Sequence, residues 1–300
     1  MRLLALSIAL GLALVLECTS KDTPAIETPR WIADEGFTAI EGDFHMHTRF
    51  SDGVASPFDL VLLAERRGLQ TIAVTEHNTT FPAKLARSFA TLRRSPVIVV
   101  VGEELTSREA HMLALGLEDT IDPRLPIRDV AEQVHAQGGV LIAAHPVKRF
   151  WVGLEGSCEV LDGVERMHPL AFRERSTFGA WDEVKAFETM CSEVKPHAVL
   201  GNSDFHVGPD FGSPRTVLFV RERTEDGVID AIRERRTVVR QPDGTWYGAD
   251  AWTRRAEALE LRERQPSRPL HEVAPGLAVI VLVGFGLLAK KAPAGSTPVT

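Results

Sequence analysis

Residues 43–53 read DFHMHTRFSDG, and the way this stretch is read decides the fold. His45 and His47 alternate with apolar Phe44 and Met46 at the strand period of two. Both imidazoles therefore leave one face of a strand. A strand that begins buried would ordinarily point Val or Ile that way, so the polar pair implies a shared ligand.

A regular alternation surrounds this stretch. From about Phe37 to Tyr247, short apolar runs alternate with amphipathic ones. FDLVLLAERRGL (58–69) has helical spacing and stops at Gly68, and TIAVTEH (71–77) is a buried strand. A helix near 82–94 precedes the strand VIVVVGEELT (97–106), and HMLALGL (111–117) is the next strand. IRDVAEQVHAQGG (127–139) is a helix with a glycine stop, followed by the strand VLIAAHP (140–146). GVERM (163–167) is a strand, FGAWDEVKAFETMC (178–191) a helix and AVLGNSDFH (198–206) a strand. TVLFV (216–220) with GVIDAIRERR (227–236) closes the unit. Strands alternating with helices imply a parallel sheet covered on both faces. About seven β/α steps over roughly 210 residues favour a TIM-like barrel over an open sheet.

The chemistry-bearing residues share one position in this pattern. His45, His47, His77, Glu104, His145, Asp204 and His206 each lie at or just past the C-terminal end of an apolar strand, and His111 begins one. In a parallel barrel that rim is where loops converge and active sites form. Imidazoles and carboxylates suit Zn, Mn or Fe rather than soft, thiolate-bound metals. Taken singly, each has a plainer reading. A strand-end histidine is often a satisfied rim residue, Glu104 a surface acid, Asp52 before Gly53 a turn residue and His145 before Pro146 a strand terminator. Six of the ten histidines at one inferred rim, with acids beside them, are hard to explain separately. His135, His168, His197 and His271 are read as structural, His168 being the candidate exception because it follows GVERM.

The 300 residues, 44% hydrophobic and 25% charged, suit one large globular domain or two small ones. A net charge of −7 argues against nucleic acid as a main partner. Three cysteines make no disulfide scaffold; Cys158 and Cys191 either pair in an oxidising compartment or stay as two buried thiols.

Both ends are apolar. Residues 1–18 have one basic residue and an apolar run from Leu3 to Leu16, the form of a signal peptide or signal anchor. Cys18 is a candidate lipidation site, although Glu17 stands where a small residue is wanted. Residues 19–37 read as a linker, 38–250 as the barrel and 251–272 as a charged stalk. Residues 273–289 are near the lower length limit for a transmembrane helix, the other reading being an apolar helix docked on the domain, and 290–300 form a tail. Arg2, Lys290 and Lys291 flank the apolar segments. If basic flanks stay inside, the expected protein is membrane-associated with its barrel outside the cytoplasm.

HMHTRFSDG, TEHN, GEELTS followed by AHMLALG, AAHP and GNSDFH resemble, in order, the motifs of the polymerase-and-histidinol-phosphatase (PHP) family. The resemblance runs from about residue 42 to 240, and GEELTS with SDG looks most like the carbaryl-hydrolase-like branch. It implies a distorted seven-stranded β/α barrel holding two to three divalent ions. His45, His47 and Asp204 would hold the first ion, Glu104 would bridge to a second completed by His111 and His145, and Asp52, His77 and His206 would hold a third. Family spacing selects Glu104 over Glu103, which strand alternation places on the opposite face. Glu76 departs from the family's usual aspartate and puts the surroundings of His77 in question.

This implies a metal-dependent hydrolase of a small molecule, first of all a phosphoesterase, EC 3.1. His206 and Asp204 are the candidate catalytic residues, with His206 or a water supplying the leaving group's proton. Lys148 and Arg149, directly after a ligand strand, are candidate phosphate contacts. The alternatives are a hydrolase of carbamate, amide or carboxylic esters, and a membrane-tethered binding module without turnover.

Overall fold

Strand β2 (Phe37–Asp43) is buried along almost its whole length and lies well inside the sheet. The computed structural model describes residues 32–33, 36–107, 110–169, 180–241 and 244–259. β1 (Ile32–Ala33) pairs antiparallel with the start of β2, and β3 (Thr71–Val74) and β4 (Ile98–Thr106) follow in parallel. Helix α1 (Pro57–Arg67) links β2 to β3, and α2 (Phe81–Arg93) links β3 to β4. α1 starts with a capping box: Ser56 Oγ accepts from the Asp59 N–H, and Asp59 Oδ2 accepts from the Ser56 N–H. It ends where expected, at Gly68 with φ 67°.

The sheet then departs from a simple parallel barrel. Residues 107–110 alone separate β4 from β5 (His111–Leu115), too few for the crossover a parallel neighbour requires. β5 therefore returns antiparallel, with Thr106 opposite His111. After α3 (Ile127–Ala136), β6 (Val140–Ala143) runs antiparallel to β5. β6, β7 (Gly163–Met167) and β8 (Ala198–Gly201) are parallel, with α4 (Lys148–Trp151) and α5 (Ala180–Ser192) between them. β9 (Thr216–Val220) pairs antiparallel with β2, and α6 (Glu225–Arg233), β10 (Thr237–Arg240), β11 (Trp246–Gly248) and α7 (Asp250–Ala258) follow.

The seven-stranded parallel expectation is thus corrected to a mixed sheet of eleven strands among the described residues. Two causes account for the difference. The short β4–β5 link forces a reversal, and β10 and β11 are strands of only four and three residues, the first directly after a charged run. The sheet nearly closes into a barrel: the Val199 N–H donates to Thr237 Oγ1 (3.2 Å) and the Gly201 N–H to Thr216 Oγ1 (2.9 Å).

One apolar cluster gathers Ile40, Ala73, Val100, Leu113, Ile142, Leu200 and Leu218 from seven strands with Val228, Ile229 and Ile232 of α6. Side chains from so many strands meet only inside the barrel, so α6 plugs one end. Gly116, just past β5, lets it approach; an added Cβ there would lie 2.9 Å from Ile229 Cγ1. On the outside, Cys158 and Cys191 are joined in a disulfide that ties the segment after α4 to the end of α5.

The expected stalk begins within α7, whose Trp252 packs on Phe37 and Phe219 with ring centroids 5.0 and 4.9 Å apart. Among the described residues, no helix is long and apolar enough to cross a membrane. The proposed signal segment 1–18 and the apolar segment 273–289 lie outside the described residues.

Candidate metal centre

Reversal of β5 puts its first residue at the same rim as the last residues of its neighbours. His111 therefore joins the strand-end group although it begins a strand. Its Nδ1 lies 2.9 Å from Glu104 Oε1, and His145 Nε2 approaches the same oxygen at 3.1 Å. The other oxygen, Glu104 Oε2, faces His77 Nδ1 at 2.8 Å and His47 Nε2 at 3.5 Å. One buried carboxylate thus addresses two separate sets of imidazoles.

Asp204 occupies the opposite side. Its Oδ1 lies 3.1 Å from both His45 Nε2 and His47 Nε2, and its Oδ2 lies 3.2 Å from His168 Nε2. Asp52 completes a more open group: its Oδ2 is 3.4 Å from His77 Nε2 and 3.3 Å from His206 Nε2. Four sets of donors each fall within the reach of one ion: His45, His47 and Asp204; His45, Glu104 and His145; His47, Asp52, His77 and His206; and His45, Glu165 and His168, where both Glu165 oxygens already accept hydrogen bonds. The nine residues singled out from sequence therefore come together at one rim. His45 belongs to three sets and His47 to two, a sharing that the motif order does not reveal.

The backbone is bent to achieve this. His145 and Asp204 have φ of 25° and 47°, in the left-handed region where non-glycine residues are uncommon. Hydrogen bonds hold both turns. The His145 N–H donates to Glu165 Oε2 at 2.5 Å, and the residues flanking Asp204 bond to Asp43 and to the His45 backbone.

Charge and burial compete throughout. Burial alone would raise the Glu104 carboxyl, but the charge on His45 and hydrogen bonds from His111 and His145 hold it well below the usual range. Burial would likewise raise Asp204; His45, His168 and His47 hold it well below. Burial lowers His45, yet Asp204, Glu165 and Glu104 together lift it well above 6.5. His47 is depressed by burial but raised by Asp204 and Glu76 to about 9. His145 is shifted down, chiefly by burial.

The residues fit divalent cations on a structural criterion. His45 Nε2, His47 Nε2, His47 Nδ1, His145 Nδ1 and Asp204 Oδ1 are buried without a hydrogen-bond partner. Buried polar atoms are nearly always paired. Three of these atoms face one another at 3.1 Å without hydrogen-bond geometry, as donors around a shared cation do.

Sequence reasoning missed several contributors. Glu165, in GVERM, accepts from His45 Nδ1 (3.1 Å), Asn202 Nδ2 (2.9 Å) and the His145 N–H. A carboxylate within a buried strand was the available signal, since adjacent Arg166 points away to pair with Glu188. His168, set aside as structural, touches Asp204. Asp43 accepts from Ser203 and Gly212 and so anchors the turn before Asp204. Glu76 accepts from the Thr48 N–H (3.0 Å) and from the hydroxyls of Thr48 and Ser51, pinning the loop that carries Asp52. Glu103 turns away from the site, as alternation requires, and accepts from the Ile121 N–H. Lys148 and Arg149 are exposed at the first turn of α4. The Arg149 guanidinium stacks 4.2 Å over the Phe150 ring, which lies 4.3 Å from His111 and 4.9 Å from His145.

The sequence model of the PHP domain matches residues 43–144. An uncharacterised protein of Methanocaldococcus jannaschii is 30% identical over 122 residues, 36% of this chain and 68% of that protein. The chain belongs to the PHP family. A phosphoribosyl 1,2-cyclic phosphate 1,2-diphosphodiesterase of Eggerthella lenta is similar to this PHP chain at 37% identity over 84 residues, 26% of the chain and 31% of that enzyme. A crystal structure from Bacteroides vulgatus, of a two-domain protein containing a predicted PHP-like metal-dependent phosphoesterase, shares the fold. It aligns with a TM-score of 0.60 at 21% identity over 80% of this chain and 75% of that one.

Proposed function

We propose that this PHP protein is a metal-dependent phosphoesterase acting on a small molecule. His45, His47, Asp52, His77, Glu104, His111, His145, Asp204 and His206 would hold two or three ions of Zn, Mn or Fe. The observation that carries the reading is Glu104, whose two oxygens face different imidazole sets, so that one carboxylate can serve neighbouring cations. When bound, the ions would supply Lewis acidity, activating water and offsetting charge on the phosphoryl group.

The chain's own residues do the positioning. Glu165 fixes the ring of His45, and His168 holds one oxygen of Asp204 so that the other faces inward. His206, partly exposed and 3.3 Å from Asp52, is the proton donor to the leaving group if the third set stays open. Arg149, whose guanidinium lies over the Phe150 ring that itself contacts His111 and His145, is a rim cation for a substrate phosphate, with Lys148 beside it. Similarity to a phosphodiesterase supports phosphoester over carbamate chemistry, which rests on the motif resemblance alone.

The test is a panel of chromogenic phosphomonoesters, phosphodiesters and carbamate esters, assayed with Mn and Zn alongside elemental analysis. Turnover of a phosphoester is expected. Turnover of carbamates alone would move the assignment to the second class, and less than one metal per chain with no turnover would leave a binding module.

The barrel is further proposed to work outside the cytoplasm, tethered by its terminal apolar segments. The disulfide between Cys158 and Cys191 supports an oxidising compartment. Protease added to intact cells or spheroplasts is expected to reach the barrel; full protection would place it inside.

A further inference from the structure

The ligand set is graded in exposure. His45 and His47 are fully buried and the Glu104 side chain is 1% exposed, whereas those of His77, His206 and Asp52 are 27%, 31% and 54% exposed. The site therefore opens to solvent on the side of Asp52, His77 and His206, and a substrate enters there.

That opening is bordered by apolar side chains that the fold leaves in water. Seven large hydrophobic residues are exposed among the described residues: Phe50, Val54, Phe81, Leu92, Val152, Val194 and Val207. Four of them, Phe50, Val54, Phe81 and Val207, lie within four positions of Asp52, His77 or His206. Phe50, on the β2–α1 loop, and Phe81, at the start of α2, meet edge to face with ring centroids 5.8 Å apart. The Val54 N–H donates to the His206 carbonyl at 3.0 Å, tying the same β2–α1 loop to the loop after β8. Isolated exposed hydrophobics are ordinary, but a group gathered on the loops of one opening marks a ligand surface.

We infer that Phe50, Phe81, Val54 and Val207 form an apolar wall that takes the non-phosphate part of the substrate, an aryl or branched alkyl group. The inference rests on the phosphoesterase reading and refines it from small phosphoesters in general to those with an apolar ester group. The wall lies beside the open donor set, so the phosphoryl group can reach the buried ions while the apolar group rests against the two rings.

The test compares two non-hydrolysable ligands, phenylphosphonate and methylphosphonate, by calorimetry on the Mn-loaded full chain. The phenyl ligand is expected to bind about tenfold more tightly, as burial of a ring predicts. In Phe50→Ser/Phe81→Ser this ratio is expected to fall toward one, and Val54→Ser/Val207→Ser to lower it less. Thermal unfolding checks that both variants fold. Methylphosphonate binding without a phenyl advantage, or a ratio unchanged in both variants, would overturn the apolar wall and leave the phosphoesterase reading standing. Binding of neither phosphonate would overturn both. Phosphatidylcholine vesicles that bind the parent chain but not Phe50→Ser/Phe81→Ser, with an unchanged ligand ratio, would assign the wall to a lipid surface and overturn the substrate inference.

Discussion

Glu165 Oε1 lies 3.1 Å from His45 Nδ1, while the other ring nitrogen of His45 points at Asp204 from 3.1 Å and at Glu104 from 3.6 Å. Glu165 is fully buried, and both its oxygens are already engaged by His45, Asn202 and the His145 N–H. It is thus a brace rather than a ligand. A carboxylate on the far nitrogen fixes the tautomer and angle of a coordinating imidazole. Glu165→Gln is expected to weaken metal affinity by about 10- to 100-fold while the protein stays folded. Metal titration and circular dichroism on the same sample check this; undiminished affinity would refute the brace.

Glu104→Ala removes the carboxylate shared by the imidazole sets. Turnover is expected to fall by at least about a thousandfold, since in the proposed site the lost carboxylate would serve two neighbouring ions. His45→Ala should act similarly. Full activity in either variant, measured under saturating Mn or Zn, would refute the site assignment.

Metal binding should release protons. The carboxylates around His45 and His47 lift both imidazoles well above 6.5, His47 to about 9, so the metal-free protein holds imidazolium protons at pH 7 that a cation must displace; His77 is shifted in the same direction. Affinity is therefore expected to rise with pH between 6 and 9. Calorimetry in two buffers of different ionisation enthalpy should show at least one proton released per chain. In the metal-free protein the same raised values add stability at low pH, and the His47 contribution is lost as pH rises through about 9.

Glu103 gives a second pH dependence of the same sign, in a lower pH range. Burial pushes its carboxyl up to about 7 against a single hydrogen bond from the Ile121 N–H. Folding therefore disfavours the ionised form. The cost is absent below the ordinary value of 4.5 and is fully developed above pH 7. Glu103→Gln is expected to stabilise the protein by about 1–2 kcal/mol at pH 8 and to change little at pH 4. Urea denaturation at the two pH values measures this.

The disulfide closes a loop with a sequence separation of 33. Cys158→Ala/Cys191→Ala is expected to lose about 3 kcal/mol of stability. Denaturation of the parent chain with and without reductant provides the matching control.

Much of the barrel was legible because burial leaves a periodic mark. Helix α1 and strand β4 stand out from spacing alone, and Gly68 marks the end of α1 because a left-handed residue is needed there. The strand count was not legible in the same way. TVVR at 237–240 and WYG at 246–248 are too short to show a period, and only the pairing of β10 with β9 and of β11 with β10 makes strands of them. The β4–β5 reversal could have been foreseen, because four linking residues cannot make a parallel crossover.

The candidate centre divides along the same line. Sequence by itself determined which side chains are competent to hold cations, because imidazoles and carboxylates at strand ends repeat in a recognisable order. Strand alternation put Glu103 and Glu104 on opposite faces, and the family resemblance chose Glu104 as the inward one. Tertiary structure alone decided that Glu165 and His168 stand behind His45 and Asp204. Those contacts span 120 and 36 positions, and no local periodicity encodes a partner that far along the chain. It also decided that His45 and His47 are shared between donor sets, since sharing depends on the distances at which three strands and two left-handed turns converge.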